Sequence, residues 1–149
     1  MASEFEQLAF APVDAIPGIR NLSGRLRADR SGGLADIDAA DVEVLLPELL
    51  SIPVPLDEAY GTVIWRQSDN RVTVLSDSIV LANGDITTDS NVELTFTPDD
   101  GPIIDLSSSF SISDLAGVKR LIPDRLLKPK LYEWFQLSIL SGSVRDGKA

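Results

Sequence analysis

Apolar and polar residues alternate along the middle of the chain in runs of about ten residues. Val92, Leu94 and Phe96 are separated by single polar residues, and Ile104 and Leu106 continue the alternation in the next run. A period of two places apolar side chains on one face of a β-strand and polar ones on the other. The pattern predicts strands near 19–29, 34–45, 60–67, 71–82, 86–97 and 103–113.

Short polar turns separate these runs. Asn83-Gly84 and Asp100-Gly101 suit the positive φ of tight hairpins, and similar turns occur at 31–33 and 68–70. The strands are therefore predicted to form an antiparallel meander. With one substantial helix to cover it, the sheet must close as a barrel, pack as a sandwich or curl into a trough. A trough would leave a contiguous apolar strip of the kind that marks a ligand or partner site.

The apolar positions of two strands change parity midway. Val72 and Val74 are even-numbered, whereas Ile79 and Leu81 are odd-numbered, and the strand near 34–45 shows the same change. A one-residue slip turns every later side chain to the opposite face unless a bulge absorbs it. We therefore expect a bulge or strong bend in each strand, near Asp38–Asp41 and near Leu75–Asp77.

The first two hairpins show a weak internal similarity. A shift of 37 residues places Gly24 on Gly61 and Leu26 on Val63. Such a shift is typical of a stacked repeat, but two unrelated hairpins of equal length would align as well.

The end of the chain has a helical pattern. Asp114 is placed to cap a short helix in DLAGVKRLI, which Pro123 ends. A second, amphipathic helix of about three turns is predicted to begin near Pro129, with Trp134 beside apolar residues four positions apart, and to end at 141–142. Those apolar residues are Leu127, Leu131, Phe135 and Ile139. A further strand is expected to begin at Val144.

Composition limits the possible functions. The net charge of −10 repels phosphate backbones, so no nucleic-acid partner is expected. The chain has no Cys and no His, which excludes Ser-His-Asp and Cys-His catalysis within it. No apolar run reaches the roughly 20 residues of a membrane helix, and the acidic start is unlike a signal peptide. The chain by itself is therefore expected neither to be exported by its own signal nor to span a membrane, which is compatible with an excised piece of a larger protein.

Three clusters of charged residues or glycines could carry chemistry. The aspartates of DIDAAD at 36–41 lack the glycine and the distal Glu of a calcium loop, so a solvated strand face is favoured. Asp99-Asp100 is interpreted as a turn, and Gly32-Gly33 lacks the context of a phosphate loop. We expect no metal, no cofactor and no enzymatic activity.

A basic cluster stands out in this acidic chain. Its members are either solvated helix ends or a contact point for an acidic partner or a lipid headgroup. They are Lys119, Arg120, Arg125, Lys128 and Lys130.

Five stretches in a fixed order carry a family resemblance. They are PGIRNLSGRLRAD at 17–29, DVEVLLP at 41–47, PLDEAYGTVIWRQ at 55–67, SIVLANGDI at 78–86 and VKRLIPDRLLKPKLYEWFQLSILSGSV at 118–144. The segment from Pro17 to Val144 resembles the large AsmA-like proteins of the YhdP family.

That resemblance implies a function. Members of the family are far longer than this chain, are anchored in the inner membrane of Gram-negative bacteria and extend through the periplasm. They are implicated in moving phospholipid toward the outer membrane along stacked β units. The resemblance thus implies a single β-rich domain over 1–149 within a repeat-built periplasmic protein. Its implied partners are phospholipid acyl chains and flanking β segments. The alternative is a structural or partner-binding β module without lipid cargo.

Acyl chains require only an apolar lining, since each CH₂ removed from water contributes roughly 0.8 kcal/mol. Under the resemblance, the alternating apolar positions become candidates for a lipid groove, although some must be simple core. The candidates are Leu26, Val63, Trp65, Val72, Val74, Val92, Leu94, Phe96, Leu106, Phe110 and Ile112.

Overall fold

The computed structural model describes residues 2–13, 17–125, 127–138 and 144–148. Eight strands form one antiparallel meander in which each strand pairs with its neighbours in sequence. The sheet is curved and does not close into a barrel, as predicted for a trough. The strands are β1 Ala2–Phe10, β2 Gly18–Ala28, β3 Gly32–Leu45, β4 Val54–Ser68, β5 Arg71–Ala82, β6 Ile86–Phe96, β7 Ile103–Ile112 and β8 Val144–Lys148.

Strands β2, β3, β5, β6 and β7 match the predicted positions, and β8 begins at Val144 as expected. β1 was not predicted, and β4 begins at Val54 rather than near residue 60. Both discrepancies have one physical origin, because the missed segments contain a change of phase. In β4 the buried positions are Val54 and Leu56, then Ala59, so strict alternation breaks at 57–58.

The first five strands each change phase once, and we call this set of positions the crease. Gln7 in β1, Asn21 in β2 and Asp41 in β3 have positive φ values of 53°, 63° and 55°. The β2–β3 ladder shifts register between Arg20 and Gly24, which confirms the bend predicted near Asp38–Asp41. Asn21 Nδ2 bridges the crease by donating to the carbonyl oxygen of Asp41 at 3.0 Å.

The bulge predicted near Leu75–Asp77 is also present. Both ladders that flank β5 change register there, between Gly61 and Ile64 on β4 and between Ser76 and Ile79 on β5. The extra residue returns the later side chains to the earlier face. As a result, Val74, opposite Trp65, and Leu81, opposite Ala59, point to the same side of the sheet.

The two hairpins that align in sequence differ in pairing. Gly24 pairs with Ile37 in the β2–β3 hairpin, so a strict repeat would pair Gly61 with Val74. Gly61 instead pairs with Ile79. The paired strands of the two hairpins therefore differ in length, and the sequence similarity does not extend to strand register.

The predicted helices are present with shorter bounds. Asp114 caps α1, Leu115–Val118, by accepting a hydrogen bond from the backbone N–H of Ala116. A 3-10 turn, Lys119–Leu121, continues it up to Pro123. Helix α2 spans Pro129–Ser138. The predicted positions Ile139 and 141–142 lie outside the described residues.

The tightest packing lies at one rim of the sheet, where β3 ends and β4 begins. Val42 is 2% exposed and is surrounded by buried residues of β2, β3 and β4 and by Leu50 of the connecting loop. The face that carries this cluster is the inner face. The remaining members of the cluster are Leu22, Ala39, Val54, Leu56 and Ala59.

Candidate functional site

The strand register places all eleven groove candidates on the inner face. Residues directly opposite in an antiparallel pair share a face. One such row runs from Trp65 through Val74 and Leu94 to Ile104. The other candidates lie on the same face because they pair with one another or with residues of that face. Leu26 and Val63 both lie opposite Ala35. The remaining pairs are Val72 and Phe96, Val92 and Leu106, Thr88 and Phe110, and Ile86 and Ile112.

The candidates are not sealed in a core. Ten of them are half-buried, and Leu106 is 57% exposed. The opposite face is mixed: Arg20 and Glu43 pair there at 3.2 Å and Glu93 is exposed, but Leu34, Ile64 and Leu75 lie opposite one another on the same face. The inner face is therefore an apolar floor that is only partly covered.

A cover closes one rim of this floor. It consists of the loop 46–52 and the segment 115–125, which are joined by hydrogen bonds. Asp124 accepts from the backbone N–H of Ser51 at 3.1 Å and from the Ser51 hydroxyl, and the Arg125 N–H donates to the Leu49 carbonyl. Leu121 packs against the buried cluster from this segment.

The opposite rim, at the turns 29–31, 69–70 and 97–102, lies away from this cover. Trp65 lies there, beside a depression of about 740 Å³ that straddles the rim, since it is lined by Gly33 and Trp65 of the inner face and by Leu34 and Ile64 of the outer face. The floor is thus open toward one rim and packed at the other.

Glycines on the inner face make room for large side chains. A β-carbon at Gly33 would overlap the ring of Trp65, and one at Gly147 would overlap the ring of Phe110. Gly24 lies in the same way against Phe5. Each ring lies against the backbone of its cross-strand partner. The rings therefore add little height to the floor.

A short band of hydroxyls crosses the floor. The Ser76 hydroxyl donates to the Thr62 carbonyl oxygen at 2.7 Å, and the hydroxyls of Ser90 and Ser108 lie 2.7 Å apart. Within the described part of the chain, no buried side-chain N or O atom lacks a hydrogen-bond partner. The band is therefore satisfied internally and leaves the floor effectively apolar.

The charged clusters from the sequence have local roles. Asp36 accepts a hydrogen bond from Thr62 at 2.7 Å on the outer face. Arg120 pairs with Asp85 at 3.3 Å, and Lys119 donates to the Gln136 carbonyl at 2.6 Å. Among the described residues, no group of three or more acidic side chains is arranged to hold a metal ion.

Two carboxyl groups have shifted acidity. Hydrogen bonds from Ser51 lower the pKa of Asp124, in the cover. Hydrogen bonds from Ser31 lower the pKa of Asp29, in the turn between β2 and β3. Both groups stabilise chain connections, and neither faces the apolar floor.

Sequence reasoning missed several inner-face residues. Phe5, Leu8 and Phe10 of β1 and Ile104 of β7 share the face with the candidates. The signal in β1 was available, since Phe5 is odd-numbered and the later two are even-numbered. The positive φ of Gln7 between them marks the same change of phase that was predicted for β3 and β5.

The YhdP protein family model matches residues 1–148, and the chain belongs to the YhdP family. This is a family of membrane-associated envelope proteins. No curated protein and no solved structure matched the chain. None of the helices in the described residues is both long and apolar enough to span a membrane.

Proposed function

We propose that this chain is a periplasmic segment of a phospholipid-transport protein and that its inner face carries acyl chains. The observation that supports the proposal most directly is the placement of eleven alternating apolar residues on one partly covered face. The role is passive, because the floor offers an apolar surface and requires no catalytic group.

The composition of the floor suits an acyl chain. Burial of apolar surface contributes about 25 cal/mol per Å², without directional contacts. A floor of Val, Leu and Phe can hold a methylene chain at any position along it, which is what transport requires. Membership of an envelope family gives such a surface access to phospholipid.

The satisfied hydroxyl band is compatible with this role. An unpaired buried hydroxyl would cost roughly 1–3 kcal/mol and would create a local barrier to an apolar cargo. Ser76, Ser90 and Ser108 have partners within the sheet, so they present no such requirement to the cargo.

Photo-crosslinking in cells tests the proposal. A photoreactive residue is introduced at Leu94, in the open half of the floor, of the protein in its natural full-length context. The matched control is Glu93, the next residue of β6, which is exposed on the outer face. We expect phospholipid adducts by mass spectrometry at Leu94 and none at Glu93.

Equal labelling at both positions, or none at Leu94, would contradict the proposal and would favour a module without lipid cargo. Native mass spectrometry of the purified protein gives a second measure. Leu94→Asp should reduce co-purified phospholipid, whereas Glu93→Asp should leave it unchanged.

A further inference from the structure

Helix α2 carries a second exposed apolar surface, apart from the floor. Leu131, Trp134 and Leu137 are 45%, 58% and 78% exposed, although each is a large hydrophobic residue. They recur every three residues, so they form one stripe along the helix. We call these three residues the α2 stripe.

The orientation of α2 is fixed by polar contacts on its other side. The Gln136 side chain donates to the Lys119 carbonyl at 2.9 Å, and Lys119 Nζ donates to the Gln136 carbonyl at 2.6 Å. Tyr132 and Gln136, on the side of the helix away from the stripe, are half-buried. These contacts turn the stripe toward solvent.

Charges near the stripe are basic, in contrast to the acidic chain as a whole. Arg125, Lys128 and Lys130 are exposed or flank the start of α2, with Glu133 as the acidic residue on the helix. Asp85 is paired with Arg120, and Asp124, which accepts from the neutral Ser51, keeps its charge, so the three basic residues outnumber the two acids Asp124 and Glu133. Charges farther away are screened over about 8 Å at physiological salt.

We infer that the α2 stripe docks on an anionic bilayer surface. Trp and Leu beside Lys are the composition of helices that lie in the headgroup region, where the indole prefers the interface and lysines reach the phosphates. Three side chains are too few for a stable protein interface, which buries about 800 Å² on each partner. The stripe lies on α2 rather than on the trough floor, so the inference does not rest on lipid transport.

The test uses Trp134 as the reporter. The chain contains two tryptophans, so Trp65→Phe leaves Trp134 as the fluorophore. Vesicles of phosphatidylglycerol are compared with vesicles of phosphatidylcholine, by emission wavelength and by flotation. We expect a blue shift and co-flotation with the anionic vesicles, both weakened by salt.

Variants separate the possible sources of binding. Leu131→Asp with Leu137→Asp should abolish flotation, whereas Ile103→Asp, at an apolar position that is 61% exposed on β7, should not. Lys128→Gln with Lys130→Gln should weaken binding about 25-fold, at roughly fivefold for each lysine. Circular dichroism establishes that each variant is folded.

Three results would overturn the inference. The first is flotation that survives the double Asp variant. The second is loss of flotation in Leu94→Asp, which would assign the lipid to the trough. The third is a blue shift that depends on protein concentration in the absence of vesicles. The last would indicate a second copy of the chain as the partner. Flotation retained in Leu94→Asp supports the inference even if crosslinking finds no lipid in the trough.

Discussion

Trp65 lies directly across the strand pair from Gly33, and its ring occupies the space that a β-carbon at Gly33 would need. The ring rests on the backbone of β3 at the open rim of the floor. The pair therefore couples a small residue on one strand to the position of the largest side chain on the next.

Gly33→Ala should displace the Trp65 ring and destabilise the sheet. Overpacking of this kind costs about 1–3 kcal/mol. Urea unfolding followed by circular dichroism measures the loss. The control is Gly101→Ala, where an added β-carbon meets nothing within 4 Å and stability should change by less than about 0.5 kcal/mol. Equal effects at the two positions would show that the ring does not depend on Gly33.

Asp41 tests the crease, because its φ of 55° is left-handed. Asp41→Gly should leave stability unchanged or raise it, since glycine adopts this conformation without strain. Asp41→Val should lower stability by roughly 1–3 kcal/mol, because a β-branched residue is disfavoured there. Equal stability of the two variants in urea would indicate that Asp41 does not hold the bend.

Much of the fold was predictable from alternation alone. β6 keeps one parity from Ile86 to Phe96, and its bounds were predicted to within one residue. β1 and the first part of β4 were missed because a change of phase makes each apolar run too short to show a period. Such changes depend on a single backbone torsion, which Gln7 provides without the glycine that would signal it.

The sequence predicted which face of the sheet carries the candidate residues, but not which part of that face is covered. Period two assigned the candidates to one face once the bulge at Leu75–Asp77 was included. The covered rim depends on Ser51 and Asp124, which are 73 residues apart and carry no local pattern. Tertiary contacts of that kind decide which part of the face stays open.

The cover should respond to acid through Asp124. Ser51 holds the pKa of Asp124 below its ordinary value, so the contact stabilises the fold above the unfolded-state pKa. That stabilisation is lost as the pH falls through the lower folded-state pKa. Ser51→Ala should raise the pKa of Asp124, as measured by carboxyl NMR titration. Asp29, held by Ser31, is the internal control and should titrate unchanged; a parallel shift of Asp29 would indicate a global effect of the substitution.

Val42 tests the packed rim. It is 2% exposed, and Val42→Ala should cost about 2–3 kcal/mol through lost burial and the cavity left behind. Val13 is 59% exposed, so Val13→Ala should change the free energy of unfolding by less than about 0.5 kcal/mol. Similar midpoints for both variants in urea would mean that the rim cluster does not anchor the fold.

The crease concentrates the bend of the sheet at a few residues. In β1 to β4 its members lie side by side across the sheet, so a change of backbone torsion at these residues would alter the opening angle of the trough while the interstrand ladders stay paired. Along the strand order, neighbouring strands stay about 4.8 Å apart, which fixes the reach of eight strands at roughly 34 Å. Such a change of torsion would alter the width of the trough and leave its length constant. Under the proposed function, acyl chains of different cross-section would then fit the trough without a change in its length.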